Sequence, residues 1–138
     1  MLNLEKKYRA IITPVSDSTD GMLKKIQHYV SWQEIDASTA KELLDKKGRK
    51  TGYKKITDKD ISEAGFKNTA NLYSVSSSAK LGGQVGWVNE SQLSEIIKKE
   101  IVKLKVGEYT KTITIPDGFL IIGLDDKKKQ SIYLNFDE

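Results

Sequence analysis

Few residues in this chain could carry out chemistry. There is one histidine, His28, and no cysteine. Disulfides, thiolate catalysis and cysteine-ligated zinc are therefore excluded. A Ser-His-Asp triad has one candidate base, a multi-histidine metal centre has none, and no metal or cofactor is expected. His28 falls beside Lys24 and Lys25 on the polar side of an amphipathic stretch, which reads as a solvated surface position without a chemical role. The densest charge lies between Lys46 and Lys55, where Lys46, Lys47, Arg49, Lys50, Lys54 and Lys55 have no acidic residue among them. Such a block can attract phosphate; it also fits a plain solvated loop.

The bulk numbers fit one ordinary domain. The chain has 138 residues, is 38% hydrophobic and 30% charged, and carries a formal charge of +4. That is long enough for a single core and too apolar for a disordered chain. No apolar run approaches the roughly 18 residues of a membrane span, and Met1-Leu2-Asn3-Leu4-Glu5-Lys6-Lys7 has no signal-peptide character. The expectation is a cytoplasmic monomer with no membrane partner.

The elements that must position any site follow from periodicity. Tyr8 to Val15 reads as a strand stopped near Pro14, which has no donor. Ser16 to Thr19 offers N-caps for a helix with Met22, Leu23, Ile26, Tyr29 and Val30 on one face. Trp32 to Ile35 is a short extended connection. Ala40, Leu43 and Leu44 mark a second helix ended by Gly48. Thr57 caps a third through Ile61 to Ala64, Gly65 breaks it, and Phe66 to Tyr73 makes another. Ser74 to Ser78 and Gly82-Gly83 read as a polar, flexible loop before a strand at Val85 to Val88. Asn89 or Ser91 then caps a helix bearing Leu93, Ile96, Ile97, Ile101 and Leu104 on one side, closed by Gly107. Thr110 to Ile115 alternates as a strand. In the turn Pro116-Asp117-Gly118, proline presets one dihedral and glycine tolerates positive φ. Phe119 to Leu124 is a near-continuous apolar strand, expected to be central. Ile132 to Phe136 alternates again, as a tail or extra edge strand.

Between residues 77 and 124 the pattern becomes specific. Ser77-Ser78-Ala79-Lys80-Leu81-Gly82-Gly83-Gln84-Val85-Gly86-Trp87-Val88, Gln92-Leu93, Leu104-Lys105-Val106-Gly107-Glu108 and Gly118-Phe119-Leu120-Ile121-Ile122 resemble, in order and spacing, the signature of parvulin-type peptidyl-prolyl isomerases. The flavour is that of the periplasmic SurA-like chaperone branch. Prolyl isomerisation needs no nucleophile. The amide must lose resonance against a barrier of roughly 18–20 kcal/mol, lowered by seating the proline ring in an apolar pocket and stabilising the twisted amide. The resemblance implies peptide-binding positions at Gln92, Leu93 and Ile97; on helical spacing alone, Leu93 and Ile97 equally suit a core. It also implies lost polar groups. The family's paired histidines correspond to Ala10 and Leu120, its cysteine or aspartate to Ser76, and its network threonine to Ile115. The floor of the site becomes mostly apolar, and isomerase activity is at most weak.

The front of the chain follows another pattern. Gly21-Met22-Leu23-Lys24-Lys25, Tyr29-Val30-Ser31-Trp32-Gln33-Glu34-Ile35-Asp36 and Lys46-Lys47-Gly48-Arg49-Lys50-Thr51-Gly52-Tyr53-Lys54-Lys55-Ile56-Thr57-Asp58 resemble the archaeal and eukaryotic large-subunit ribosomal protein L-thirty family. That resemblance runs to about Ala70 and implies RNA contacts at Arg49, Lys50, Lys54 and Lys55, with Tyr53 as a stacking residue. Binding by such a fragment would be weak and salt-sensitive.

The expected fold is one α+β domain over residues 1–138: a mainly antiparallel four-stranded sheet flanked by helices, parvulin-like in its C-terminal half. Its strands fall near 8–14, 84–89, 109–115 and 119–124. Residues 1–70 form the ribosomal-protein-like segment, 71–130 the parvulin-like segment and 131–138 the tail. The two patterns point to a recombined, engineered chimera without strong selected activity, retaining a half that binds proline-containing or unfolded peptides. A working isomerase or chaperone module and a ribosomal-RNA-binding protein remain as alternatives. The parvulin-like parent would be periplasmic.

Overall fold

The computed structural model describes residues 5–15, 20–35, 38, 40–41 and 56–127. The basic block, most of the second helix and the C-terminal tail lie outside the described residues. Four strands form one antiparallel sheet: β1 (Glu5–Pro14), β2 (Gln84–Asn89), β3 (Ile113–Ile115) and β4 (Gly118–Lys127), in the order β2-β1-β4-β3. The strand from the front of the chain is thus threaded between two strands from the back. It pairs with β2 from Glu5↔Asn89 to Arg9↔Gln84 and with β4 from Lys6↔Lys127 to Pro14↔Gly118. This is the single α+β domain with a four-stranded antiparallel sheet that the sequence predicts. Among the described residues no helix is long and apolar enough to cross a membrane.

Alternation along β1 and β4 gives each face of the sheet its own apolar cluster. On one face Tyr8, Ala10, Ile12, Leu120, Ile122 and Leu124 pack with Leu23, Ile26 and Val30 of α1 (Asp20–Tyr29) and its end. Ile97 and Ile101 of α4 (Glu95–Ile101) join the same cluster. On the other face Ile11 and Ile121 pack with Ile56, Ile61, Phe66 and Ala70, supplied by α2 (Asp58–Ala64), α3 (Phe66–Tyr73) and the residues before them. Thr57 caps α2 as expected, accepting from Asp60 N while the Asp60 carboxylate accepts from Thr57 N at 2.8 Å. Gly65, at φ +88°, ends it.

Several boundaries differ from the periodicity. The segment after β2 is not one helix. Asn89 Oδ1 accepts from Ser91 N at 2.9 Å and closes a single 3-10 turn, Glu90–Gln92. Leu93 is then extended, and Ser94 starts α4. The extended residue brings Leu93 into the core, which a continuous helix from Asn89 does not require. The polar stretch after α3 is an ordered 3-10 turn, Ser77–Leu81, rather than a flexible loop. Only Ile113–Ile115 pairs as a strand before the turn; Tyr109 makes an isolated bridge to Gly123.

In the Pro116-Asp117-Gly118 turn the positive φ falls on Asp117, at 61°, and not on the glycine. Gly118 is required by space instead. A Cβ there would lie 2.8 Å from Thr13 O and 3.0 Å from Ile26 Cδ1. Ile26 can shift slightly, but the paired backbone of β1 cannot. Gly118→Ala is therefore expected to destabilise the fold by about 1–3 kcal/mol, read as a lowered urea midpoint with an unchanged m-value.

Candidate functional site

The candidate site lies where β1, β4 and the Ser74–Ser78 segment converge. Along the ladder Ala10 faces Ile122, Ile12 faces Leu120, and Leu120 also faces Ile113 of β3. Ala10, Ile115 and Leu120 therefore enter one continuous cluster with Leu23, Ile26 and Val30 of the α1 region. Ala10 and Leu120 are 0% exposed and Ile115 is 3% exposed. Leu93 and Ile97, the positions expected to seat a proline ring, belong to the same cluster and are also buried. The floor is not an open concavity: α1 covers it. Gln92 alone of the peptide-binding candidates is exposed, and its Oε1 accepts from Asn89 N at 3.3 Å.

Beside this floor runs a short polar chain. Ile12 N donates to Ser74 Oγ at 3.1 Å, Ser74 Oγ lies 3.1 Å from Ser76 Oγ, and Ser76 Oγ lies 2.8 Å from Ser78 Oγ. All three serines are buried, so each hydroxyl must find a partner inside, and each finds the next. None bonds an imidazole or a carboxylate among the described residues. The chain satisfies polar groups without activating a nucleophile. It also ties the two halves of the sequence together. Val75 N donates to Ile12 O and Ser77 N to Glu34 O, each at 2.8 Å. Gln33 Nε2 reaches Ser77 Oγ at 3.2 Å, and Gln27 of α1 clamps this connection by donating to Gln33 O and accepting from Ile35 N. Periodicity could not reveal this network, although the Ser-x-Ser-x-Ser spacing was its visible signal.

Tyr8 is the strained member of the same face. It is fully buried, and its hydroxyl has no hydrogen-bond partner among the described residues. Burial first, and then the negative charge of Glu90, raise its pKa above the usual tyrosine value. The neutral form is the one the fold tolerates. Above about pH 10 the unfolded chain ionises this group while the native chain resists. Stability contributed below pH 10 is therefore lost as pH rises further. Tyr8→Phe is expected to remove that part of the alkaline loss. It should also stabilise the fold by about 1 kcal/mol at neutral pH, because an unsatisfied hydroxyl is deleted. Denaturant melts of both proteins at pH 7 and pH 10.5 check this.

The opposite face carries a cleft of about 500 Å³ that the motif reading missed, lined in part by Arg9, Phe66, Glu108, Tyr109 and Asp125. Arg9 Nε donates to Asp125 Oδ1, and Arg9 Cζ lies 5.6 Å from the centre of the Phe66 ring. The Phe66 and Tyr109 rings are 5.9 Å apart and tilted by 58°. An arginine between Tyr8 and the apolar run Ala10-Ile11-Ile12 was the available signal. The RNA-binding candidates Arg49, Lys50, Tyr53, Lys54 and Lys55 lie outside the described residues.

A front strand clasped inside a β2-β1-β4-β3 sheet, with a Ser-Ala-Lys-Leu-Gly-Gly entry to β2, defines a parvulin-type domain. The model of the rotamase family, the PPIC-type PPIase domain, matches residues 34–126. The chain belongs to that family. Among solved structures, the crystal structure of a PpiC-type peptidyl-prolyl cis-trans isomerase domain superposes with a TM-score of 0.54 at 21% identity. It covers 92% of this chain and 94% of its own. That likeness concerns the fold. Part of the chain is also similar to large ribosomal subunit protein uL30, 54% identical over 72 residues to that of Nitrosopumilus maritimus. The uL30 of Cenarchaeum symbiosum is 59% identical over 61 residues. These matches cover 52% and 44% of this chain but only 46% and 39% of the two relatives. The chain thus spans less than half the length of either. The uL30-like stretch of 72 residues and the family match are together longer than the chain, so they overlap within it.

Proposed function

We propose that this protein is a recombination of a uL30-like front with a parvulin-like back, joined near residue 70, in which prolyl isomerase activity is weak or lost. The single observation behind this reading is the burial of Ala10, Ile115 and Leu120, where the resemblance implies polar groups, in one apolar cluster with α1. With this face packed among the described residues, and aliphatic side chains at Ala10, Ile115 and Leu120, the barrier loses both of the contributions that lower it. Peptide contact is left to the rim at Gln92, since Leu93 and Ile97 are buried. The test is an isomerisation assay on an Ala-Ala-Pro-Phe peptide. A rate indistinguishable from the uncatalysed one is expected, and kcat/KM within the ordinary enzyme range of about 10⁴–10⁸ M⁻¹s⁻¹ overturns the proposal.

The 54% identity to a large ribosomal subunit protein favours a second reading, RNA binding through Arg49, Lys50, Tyr53, Lys54 and Lys55. Binding to structured RNA should weaken linearly in log–log salt titrations. Arg49→Gln with Lys50→Gln should reduce the slope by about two. A slope unchanged by the double substitution rejects this assignment.

A further inference from the structure

The cleft behind the sheet has walls and charges that the parvulin-like face does not use. In a chain of net charge +4, the described residues around it carry more acid than base. Asp125 faces Arg9, Glu108 lines one wall, and Asp58 stands at the edge, accepting from the Tyr109 hydroxyl at 2.7 Å. The Glu108 carboxylate accepts only from Lys105 N, at 2.8 Å, and enters no ion pair among the described residues. The fold already holds one cation here: the Arg9 guanidinium sits over the Phe66 ring with Asp125 at its edge. The neighbouring Tyr109 ring and Glu108 offer the same two partners, an aromatic face and a carboxylate, with no cation of the described residues paired with them. At about 500 Å³ the cleft falls in the usual range of ligand sites, about 300–1,000 Å³. That is ample for a long side chain with its flanking backbone.

We propose that this cleft binds the lysine or arginine side chain of a basic peptide segment, seated against Tyr109 and neutralised by Glu108. The partner's chemistry follows from charge. Three carboxylates around one internal cation repel a phosphate backbone or an acidic peptide, and favour a second cation.

The experiment titrates the full-length protein with tetralysine amide and, separately, with tetraglutamate, following backbone amide NMR signals. Saturable shifts confined to the Phe66, Glu108, Tyr109 and Gly123 region are expected with tetralysine only. Glu108→Gln keeps an acceptor for Lys105 N, so it leaves the turn intact, and should weaken binding about two- to fivefold. Tyr109→Leu should weaken it by a similar factor. Glu95→Gln, an exposed carboxylate on α4 across the sheet, should leave affinity unchanged. Absence of a saturable shift, shifts spread over every acidic surface, or equal weakening by Glu95→Gln each overturns the proposal.

Discussion

Ile121→Asp is expected to unfold the entire chain in one transition. Ile121 is 2% exposed, in the central strand β4, opposite Ile11 of β1. Its side chain packs with Ile56, Ile61 and Ala70. The substitution removes about 1.5–3 kcal/mol of burial and places a carboxylate among buried aliphatic side chains, at a further cost of several kcal/mol. The sum rivals the whole stability of a typical domain, about 5–15 kcal/mol. The transition should be single because β1 is hydrogen-bonded on both sides by strands from the back of the chain. Two tryptophans report on the two halves, Trp32 in the front and Trp87 in the back. Single-tryptophan versions of the native protein should melt with coincident midpoints, and Ile121→Asp should abolish both native signals. A front signal that survives the substitution with its own transition would show that the halves fold separately.

Placing histidines in the floor should harm the protein rather than make it active. Ala10→His with Leu120→His puts two imidazoles into positions that are 0% exposed, beneath α1 and beside a serine chain already satisfied from within. The expected loss is about 3–5 kcal/mol, from overpacking at Ala10 and from polar burial at both sites. A dry core favours neutral imidazole and so depresses its pKa. Below about pH 6.5 the unfolded chain gains protons that the native chain refuses. The double variant should therefore be weaker at pH 5.5 than at pH 7.5, by a wider margin than the parent. No gain in peptide isomerisation is expected. A stable double variant with restored activity would mean that α1 does not seal the floor.

Much of the frame was legible. The Thr57 cap, the Gly65 break, the apolar run of β4 and the α1 stripe were readable because each rests on local geometry, a cap bond, a permitted dihedral or a repeat of 2 or 3.6 residues. Elements set by distant neighbours were not. The helix starting at Asn89 gives way to a 3-10 turn and an extended Leu93 because the core beneath β1 and β4 draws that side chain inward. Gly118 was noticed for its dihedral freedom, yet its constraint is the Thr13 carbonyl and Ile26 across the turn. Neither partner is close in sequence.

By itself, the sequence determined what chemistry the chain lacks: with no thiol and a single histidine it can form no disulfide, no thiolate nucleophile and no multi-histidine metal centre, whatever the fold. Residue types also put aliphatic side chains at Ala10, Ile115 and Leu120, where the resemblance to parvulins implies histidines and a threonine. The tertiary structure alone decided that Leu93 and Ile97 are core, because helical spacing presents the same stripe to a cleft or to a packed neighbour, and only the packing of the whole cluster chooses between them. It alone brought Arg9, Phe66, Tyr109 and Asp125 to one cleft. A carboxylate recognises a cation across 116 residues of sequence only after the sheet has brought β1 and β4 side by side, since side-chain attraction acts over ångströms of space and not along the chain.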